Sequence, residues 1–131
     1  MPEVAKLINK LKAIGKQYRQ IFTLSGRILP IPMGRGFDGG PPSIATHKAV
    51  NFFCQGGAYD LLAETVVSAC EHGLGDALYL CMHDELVVST SAAHDVRKIM
   101  ETPPARLCEL AGRVPVLRTD RADLGERWAK T

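Results

Sequence analysis

The sequence predicts an α+β fold in which helices pack mainly on one face of an antiparallel sheet. Apolar residues recur at helical spacing in several segments, and pairs of short apolar segments flank tight turn signals. The chain has 131 residues, of which 46% are hydrophobic and 23% charged, as is typical of a globular protein. We therefore expect one domain that spans residues 1–131.

The N-terminal segment is predicted to be an amphipathic helix that begins at Pro2 and ends near Gly15. Five apolar residues recur at helical spacing, and four lysines occupy the other faces of the helix. A hairpin is predicted over residues 20–32, because two short β-rich runs flank Ser25 and Gly26.

Residues 33–46 contain four glycines and two prolines, a composition that predicts no regular element. We expect a flexible loop over residues 33–45. A long helix is predicted from residue 46 to residue 71, with a stop at Gly73. Gly56 and Gly57 lie inside this helix, where each weakens it by about 1 kcal/mol relative to Ala. Glycines in such positions often allow another segment to approach closely.

The second half of the chain is predicted to begin with two strands, over residues 77–82 and 86–90. A turn of sequence His-Asp-Glu separates them. Helices are expected over residues 92–101 and 105–111, because Ser91 suits an N-cap and Gly112 a helix end. The segment VPVLRTD, residues 114–120, is predicted to form the last strand.

Composition and net charge exclude few functional classes. The formal net charge is +2 and the isoelectric point about 8.4, which permits a nucleic-acid partner without requiring one. The four cysteines form no C-x-x-C pair, and we expect reduced thiols in a cytoplasmic protein. No apolar stretch approaches the ~20 residues of a membrane span, and the N-terminus does not resemble a signal peptide.

The turn His83-Asp84-Glu85 is the most informative chemical feature. Charged residues at an exposed hairpin tip often have no function. However, two apolar strands hold this tip in place, and Mg²⁺ prefers one or two carboxylates together with substrate phosphates. The adjacent positions differ from the H-E-x-x-H spacing of zinc proteases. The turn therefore indicates a possible magnesium ligand.

Four segments resemble the motifs of family A DNA polymerases, the group similar to bacterial DNA polymerase I. MHDELVVST resembles the third signature motif, and NFFCQGGAYDLL resembles the helix N-x-x-x-Q-G-[TS]-A-x-D. TLSGRILPIP resembles T-x-x-G-R-x-x-x-[IL]-P with slightly shifted spacing, and LGERW resembles the closing G-x-x-W. The four occur in the order of the family, and the resemblance extends over nearly the whole chain.

The resemblance implies that this chain is the C-terminal part of a polymerase palm domain, with a palm-type antiparallel sheet. Asp84 then matches the catalytic carboxylate that binds the Mg²⁺ ions, and Glu85 the neighbouring catalytic acid of lesser effect. His83 matches a residue near the primer-terminal phosphate or sugar. The implied cofactor is therefore Mg²⁺ in a two-metal site.

The resemblance also implies DNA contacts outside the acidic turn. Asn51 and Gln55 match side chains that contact the minor groove and the sugar-phosphate near the primer terminus. Arg27 matches a basic residue beside the duplex, whereas Asp60 matches a helix position with a more structural role. The implied partners are primer-template DNA and an incoming deoxynucleoside triphosphate.

Two parts of the family pattern are missing from these 131 residues. One is the strand-borne motif that resembles D-x-S-x-x-E and carries the second metal-binding aspartate. The other is the fingers helix that binds the nucleotide. The resemblance therefore implies an inactive isolated chain, which needs the N-terminal polymerase part in cis or in trans. The surface that these parts would cover also leaves open a homo-oligomer of the isolated chain.

Two other hypotheses remain open. The chain is then either a non-catalytic palm-like domain that binds DNA or protein, or an unrelated Mg²⁺-dependent hydrolase. A hydrolase would be expected to carry a second acidic cluster, which the sequence lacks.

Overall fold

The computed structural model describes residues 1–35 and 40–125 and confirms the α+β class. The described part contains four α-helices and three antiparallel pairs of strands. The chain divides into two compact units, Met1–Asp60 and Leu61–Thr131, each described by itself below.

The first unit begins with α1 (Pro2–Tyr18), which runs past the predicted end at Gly15. Arg19 ends the helix in a left-handed conformation (φ 54°), and its N–H donates to the carbonyl of Gly15. Gly15 is instead a packing position. A Cβ atom there would lie 2.5 Å from Cδ1 of Ile31 and 3.2 Å from Cβ of Ala49. The glycine therefore lets α1 approach the core closely.

The predicted hairpin is present as β1 (Gln20–Phe22) and β2 (Ile28–Pro30), which pair antiparallel. The prediction of no regular element over residues 33–46 was wrong, because β3 (Met33–Gly34) pairs with β4 (Ser43–Ile44). The core of this unit is formed by residues of α1, of β1, of the positions directly after β2 and β4, and of the start of the long helix: Leu11, Ile21, Ile31, Ala45 and Ala49.

The long helix α2 (Lys48–Glu71) is present as predicted, and the boundary between the two units falls within it. In the second unit, a 3₁₀ turn (Gly75–Ala77) leads into β5 (Leu78–Met82), which pairs with β6 (Glu85–Val88). The two predicted helices follow.

These helices are α3 (Ala93–Glu101), which buries Val96, and α4 (Ala105–Ala111). The strand predicted over residues 114–120 is absent, because no neighbouring strand pairs with it. Thr119 instead donates from its backbone N–H and its hydroxyl to Oε1 of Glu101, at 3.1 and 2.9 Å. These bonds tie the extended segment to the end of α3.

The described strands form three separate two-stranded ladders rather than the one sheet that the sequence predicts. Each strand is two to five residues long and pairs with its neighbour in the chain. Among the described residues, no helix is both long enough and apolar enough to cross a membrane.

Candidate functional site

The acidic turn lies at the tip of the β5–β6 hairpin. Met82 and Glu85 form the last pair of the ladder, so His83 and Asp84 make a two-residue loop. His83 has a φ of 54°, and no such value occurs at Asp84. A positive φ at only the first central residue is typical of type II′ hairpin turns, where glycine is strongly preferred. A histidine in this conformation costs about 1–2 kcal/mol.

The hairpin also contains an irregularity in its pairing. Leu78 pairs with Val88 and Leu80 with Val87, which leaves Tyr79 as an additional residue in β5. Such bulges bend the strand and occur frequently beside active sites. The hairpin is therefore not a regular ladder but a bent one that ends in a strained tip.

Both carboxylates of the tip are exposed to solvent, as is His83. Glu85 lies on the same face of the hairpin as its partner Met82, while Asp84 occupies the second loop position. Exposed carboxylates at a fixed backbone position suit Mg²⁺, which keeps several waters when a protein binds it. Asp84 and Glu85 therefore fit the ligand type, although they supply only part of a ligand set.

In residues 1–35 and 40–125, no group of three or more His, Cys, Asp or Glu residues is placed to hold a metal ion together. The prediction of a metal site completed by residues outside this chain stays a prediction. The four cysteines are unpaired, with Cys54, Cys70 and Cys81 exposed.

Strand β5 itself is apolar and exposed. Tyr79, Leu80 and Met82 have exposed fractions of 68%, 42% and 39%. The strand contains no charged residue or proline, two features that protect an edge strand from pairing with another chain, although the bulge at Tyr79 is a third such feature. The face beside the acidic tip is therefore an uncovered apolar surface.

Arg27, in the first unit, links the β1–β2 hairpin to α2. Its Nε donates to Oδ1 of Asp60 at 2.7 Å, and its Nη2 donates to the carbonyl of Gly56 at 3.0 Å. The guanidinium also lies 5.1 Å from the ring centroid of Tyr59, within cation–π range. Its side chain remains 41% exposed. Arg27 thus has a structural role in addition to any DNA contact.

The carboxylate of Asp60 is the centre of this network. The Ser25 hydroxyl donates to Oδ2 of Asp60, and Thr23 and Ser25 are joined by a hydroxyl–hydroxyl bond of 3.0 Å. Burial raises the pKa of Asp60, but hydrogen bonds from Ser25, Thr23 and Arg27 and the charge of Arg27 outweigh this effect. The pKa of Asp60 therefore lies below its ordinary value.

Gly56 is the position where α2 meets the hairpin. A Cβ atom there would lie 2.6 Å from Cδ1 of Leu29 and 2.8 Å from Cγ2 of Thr23, whereas one at Gly57 would meet nothing within 4 Å. The sequence indicated a close approach at these glycines. The segment that approaches Gly56 is the protein's own hairpin.

Asn51 and Gln55 are both exposed on α2 and lie four residues apart, on one helix face. Tyr59 continues this row by a further four residues and is 55% exposed. The structure thus brings the two predicted amides into line with the Tyr59–Arg27 pair. From the sequence alone Tyr59 is interpreted as a packing residue, and its contact with Arg27, which is distant in the chain, is seen only in the structure.

The predicted site residues fall in both units. Arg27, Asn51 and Gln55 belong to the first unit, and the tip residues 83–85 belong to the second. The closing motif LGERW is only partly described: Leu124 and Gly125 are exposed, and its other three residues lie outside the described residues. No protein-family model, curated protein or solved structure matches this chain.

Proposed function

We propose that this chain is the C-terminal palm segment of a family A DNA polymerase. It contributes the metal-binding carboxylate of the third motif and contacts to the primer terminus. The observation that carries the proposal is the tip of the β5–β6 hairpin. There, a histidine in a left-handed conformation precedes two exposed carboxylates, at the position of the resembled motif. Strained backbone of this kind clusters at functional sites.

In this proposal, Asp84 holds Mg²⁺ and Glu85 assists it. When bound, the metal ions neutralise charge on the transferring phosphoryl group and hold its oxygens in line. The second aspartate and the nucleotide-binding helix come from a polymerase part outside these 131 residues. The isolated chain is therefore inactive, and we place the complete enzyme in the cytoplasm with primer-template DNA and nucleoside triphosphates.

The exposed amides support the DNA-binding part of the proposal. Asn51 and Gln55 carry neutral donors and acceptors on one face of α2. Such groups suit the minor-groove acceptors that all base pairs share, so they test the shape of the primer end rather than its sequence. Arg27 is also proposed to lie beside the duplex, and its contacts with Asp60, Gly56 and Tyr59 hold it against α2.

The test is primer extension by a fusion of the full chain to the N-terminal part of a family A polymerase. We expect Mg²⁺-dependent extension, and a loss of at least about hundredfold in rate for Asp84→Ala, since metal positioning supplies several kcal/mol. Asp76→Ala removes another exposed carboxylate of the same unit and is expected to leave the rate unchanged. Equal rates for the Asp84 and Asp76 variants would contradict the metal assignment.

A non-catalytic palm-like domain that binds DNA or protein is the second candidate. It is favoured by the exposed amides of Asn51 and Gln55, which can contact DNA without a bound metal ion. The two candidates differ in the fusion experiment. A non-catalytic domain gives no extension with either the unsubstituted chain or its variants, while DNA affinity is retained.

A further inference from the structure

The two units of the chain carry opposite charge. Met1–Asp60 contains eight Lys or Arg against three Asp or Glu, a formal charge of +5. Leu61–Thr131 contains eight against eleven, a formal charge of −3. The overall value of +2 conceals this difference. A polyanionic partner is therefore expected at the first unit rather than the second.

Half of the basic residues in the first unit lie on one helix, α1. At about 3.6 residues per turn, they all fall in the half of the helix that is turned away from buried Leu11. This basic face consists of Lys6, Lys10, Lys12 and Lys16, all exposed. The residues between them on that half are small or neutral: Ala5, Asn9, Ala13 and Gln17. The only acidic residue of α1, Glu3, lies at the edge of this half, three residues before Lys6.

The basic face has no internal compensation. Lys6 and Lys10 are four residues apart, as are Lys12 and Lys16, and like charges at this spacing destabilise a helix. Among residues 1–35 and 40–125, no carboxylate lies within ion-pair distance of any of these lysines. An arrangement that destabilises the free helix is favourable once phosphates lie against it.

We propose that the basic face of α1 binds the sugar-phosphate backbone of duplex DNA. Lysines four residues apart lie about 5–6 Å apart at Cβ, with long flexible stems that adapt to phosphate positions. Insertion into a lipid surface is less favoured, because it requires bulky apolar side chains on the presented face. That half of α1 presents Ala and Asn between its lysines instead.

The inference rests on the proposed function for the identity of its partner, but it does not involve the acidic tip. The test is the affinity of the full chain for a duplex without defined sequence, measured by fluorescence anisotropy over a series of salt concentrations. The logarithm of the association constant falls linearly with the logarithm of the salt concentration, and each phosphate contact adds about 0.9 to the magnitude of this slope. Phosphate contacts also act equally on all sequences.

Two double variants test the face, Lys6→Gln with Lys10→Gln and Lys12→Gln with Lys16→Gln. Each is expected to reduce the slope by about two and to weaken binding equally for duplexes of different sequence. The control double variant, Arg113→Gln with Arg118→Gln, removes the same number of positive charges from exposed residues of the second unit. It is expected to leave the slope unchanged. Lys12→Arg with Lys16→Arg is expected to retain binding.

Three outcomes would overturn the inference. One is a full chain that does not bind the duplex. Another is an equal loss in the α1 variants and the control, which would assign binding to net charge. The third is tighter binding to phosphatidylglycerol vesicles, lost in the same α1 variants, which would make a lipid surface the partner. Asp84→Asn separates the two proposals, because it is expected to abolish extension in the fusion without weakening DNA binding by the full chain.

Discussion

The two longer hairpins of the described residues differ in the residue at the positive-φ position of the loop and in the polar bonds that hold them. The β1–β2 hairpin buries Ile21 almost completely, places a glycine at its positive-φ loop position (Gly26, φ 88°) and is tied to α2 by polar bonds. The β5–β6 hairpin exposes its apolar strand and places a histidine at positive φ. Both hairpins expose apolar side chains, including Phe22 and Ile28 in the first, but only the second has a non-glycine residue at positive φ in its loop, beside two acidic side chains.

A substitution at Gly56 is expected to weaken the contact between the first hairpin and α2 more than the other changes described below. We expect Gly56→Ala to lower the free energy of unfolding by about 1–3 kcal/mol, because its Cβ would overlap Leu29 and Thr23. Gly57→Ala is the matched control. It is expected to raise the free energy of unfolding by up to about 1 kcal/mol, since its Cβ meets no neighbour and Ala favours the helix. Chemical denaturation measures both, and equal effects would refute the close packing.

The polar network of the same hairpin is tested by Asp60→Asn. Losing charge-assisted hydrogen bonds with Arg27 and Ser25 is expected to lower the free energy of unfolding by about 2 kcal/mol at neutral pH.

This prediction has a pH dependence. Because the pKa of folded Asp60 is lowered, its contribution is fully present above the unfolded pKa, about 3.9, and is lost as the pH falls through the folded value. The difference in stability between the unsubstituted chain and Asp60→Asn is therefore expected to shrink below about pH 4. A difference that stays constant down to pH 2 would contradict the network. Asp76→Asn, an exposed carboxylate, serves as the control.

The strain of the second hairpin is tested by His83→Gly. Glycine adopts a φ of 54° without a Cβ clash, so the variant is expected to raise the free energy of unfolding by about 1 kcal/mol. Asp84→Gly is the comparison at the neighbouring position, where no relief is expected. If thermal unfolding shows His83→Gly to be destabilised as much as Asp84→Gly, the left-handed conformation is not a source of strain.

The smallest change in the free energy of unfolding is expected for substitutions of Tyr59, whose ring contacts the Arg27 guanidinium. Tyr59→Ala removes the ring beside the guanidinium and is expected to lower the free energy of unfolding by about 0.5–1 kcal/mol. Tyr59→Phe keeps the aromatic face and is expected to remain within a few tenths of the unsubstituted value. A larger effect of Phe than of Ala would exclude the cation–π contact.

Local patterns in the sequence predicted most of the elements, but not the pairing between distant segments. The spacing of apolar residues identified α1 and α2, the polar residue Ser91 indicated the start of α3, and the turn residues identified both longer hairpins. The two-residue ladder of β3 and β4 was missed, since its glycine- and proline-rich surroundings are typical of a loop. Residues 114–120 were predicted to form a strand, but a strand also requires a partner strand, and Thr119 donates to Glu101 instead.

The candidate site shows the same limit. Arg27 was predicted to lie beside DNA, while its contacts with Asp60 and Gly56 join segments about thirty residues apart that no local pattern reveals. The exposed positions of Asn51 and Gln55 follow from helix periodicity, as does their common face. The conformation of His83 could not be predicted, because non-glycine residues as a group rarely adopt a positive φ and only the two-residue loop imposes it.

The uncharged, exposed strand β5 has a consequence for the behaviour of the protein at high concentration. An edge strand without Lys, Pro or an inward-facing charge pairs readily with a second strand, including the same strand of another copy. We expect the exposed strand to pair with other copies at high concentration, and the bulge at Tyr79 to weaken this pairing. A lysine at Tyr79, the bulged position where no cross-strand partner is lost, would raise the solubility limit of the chain while leaving its hairpin pairing intact.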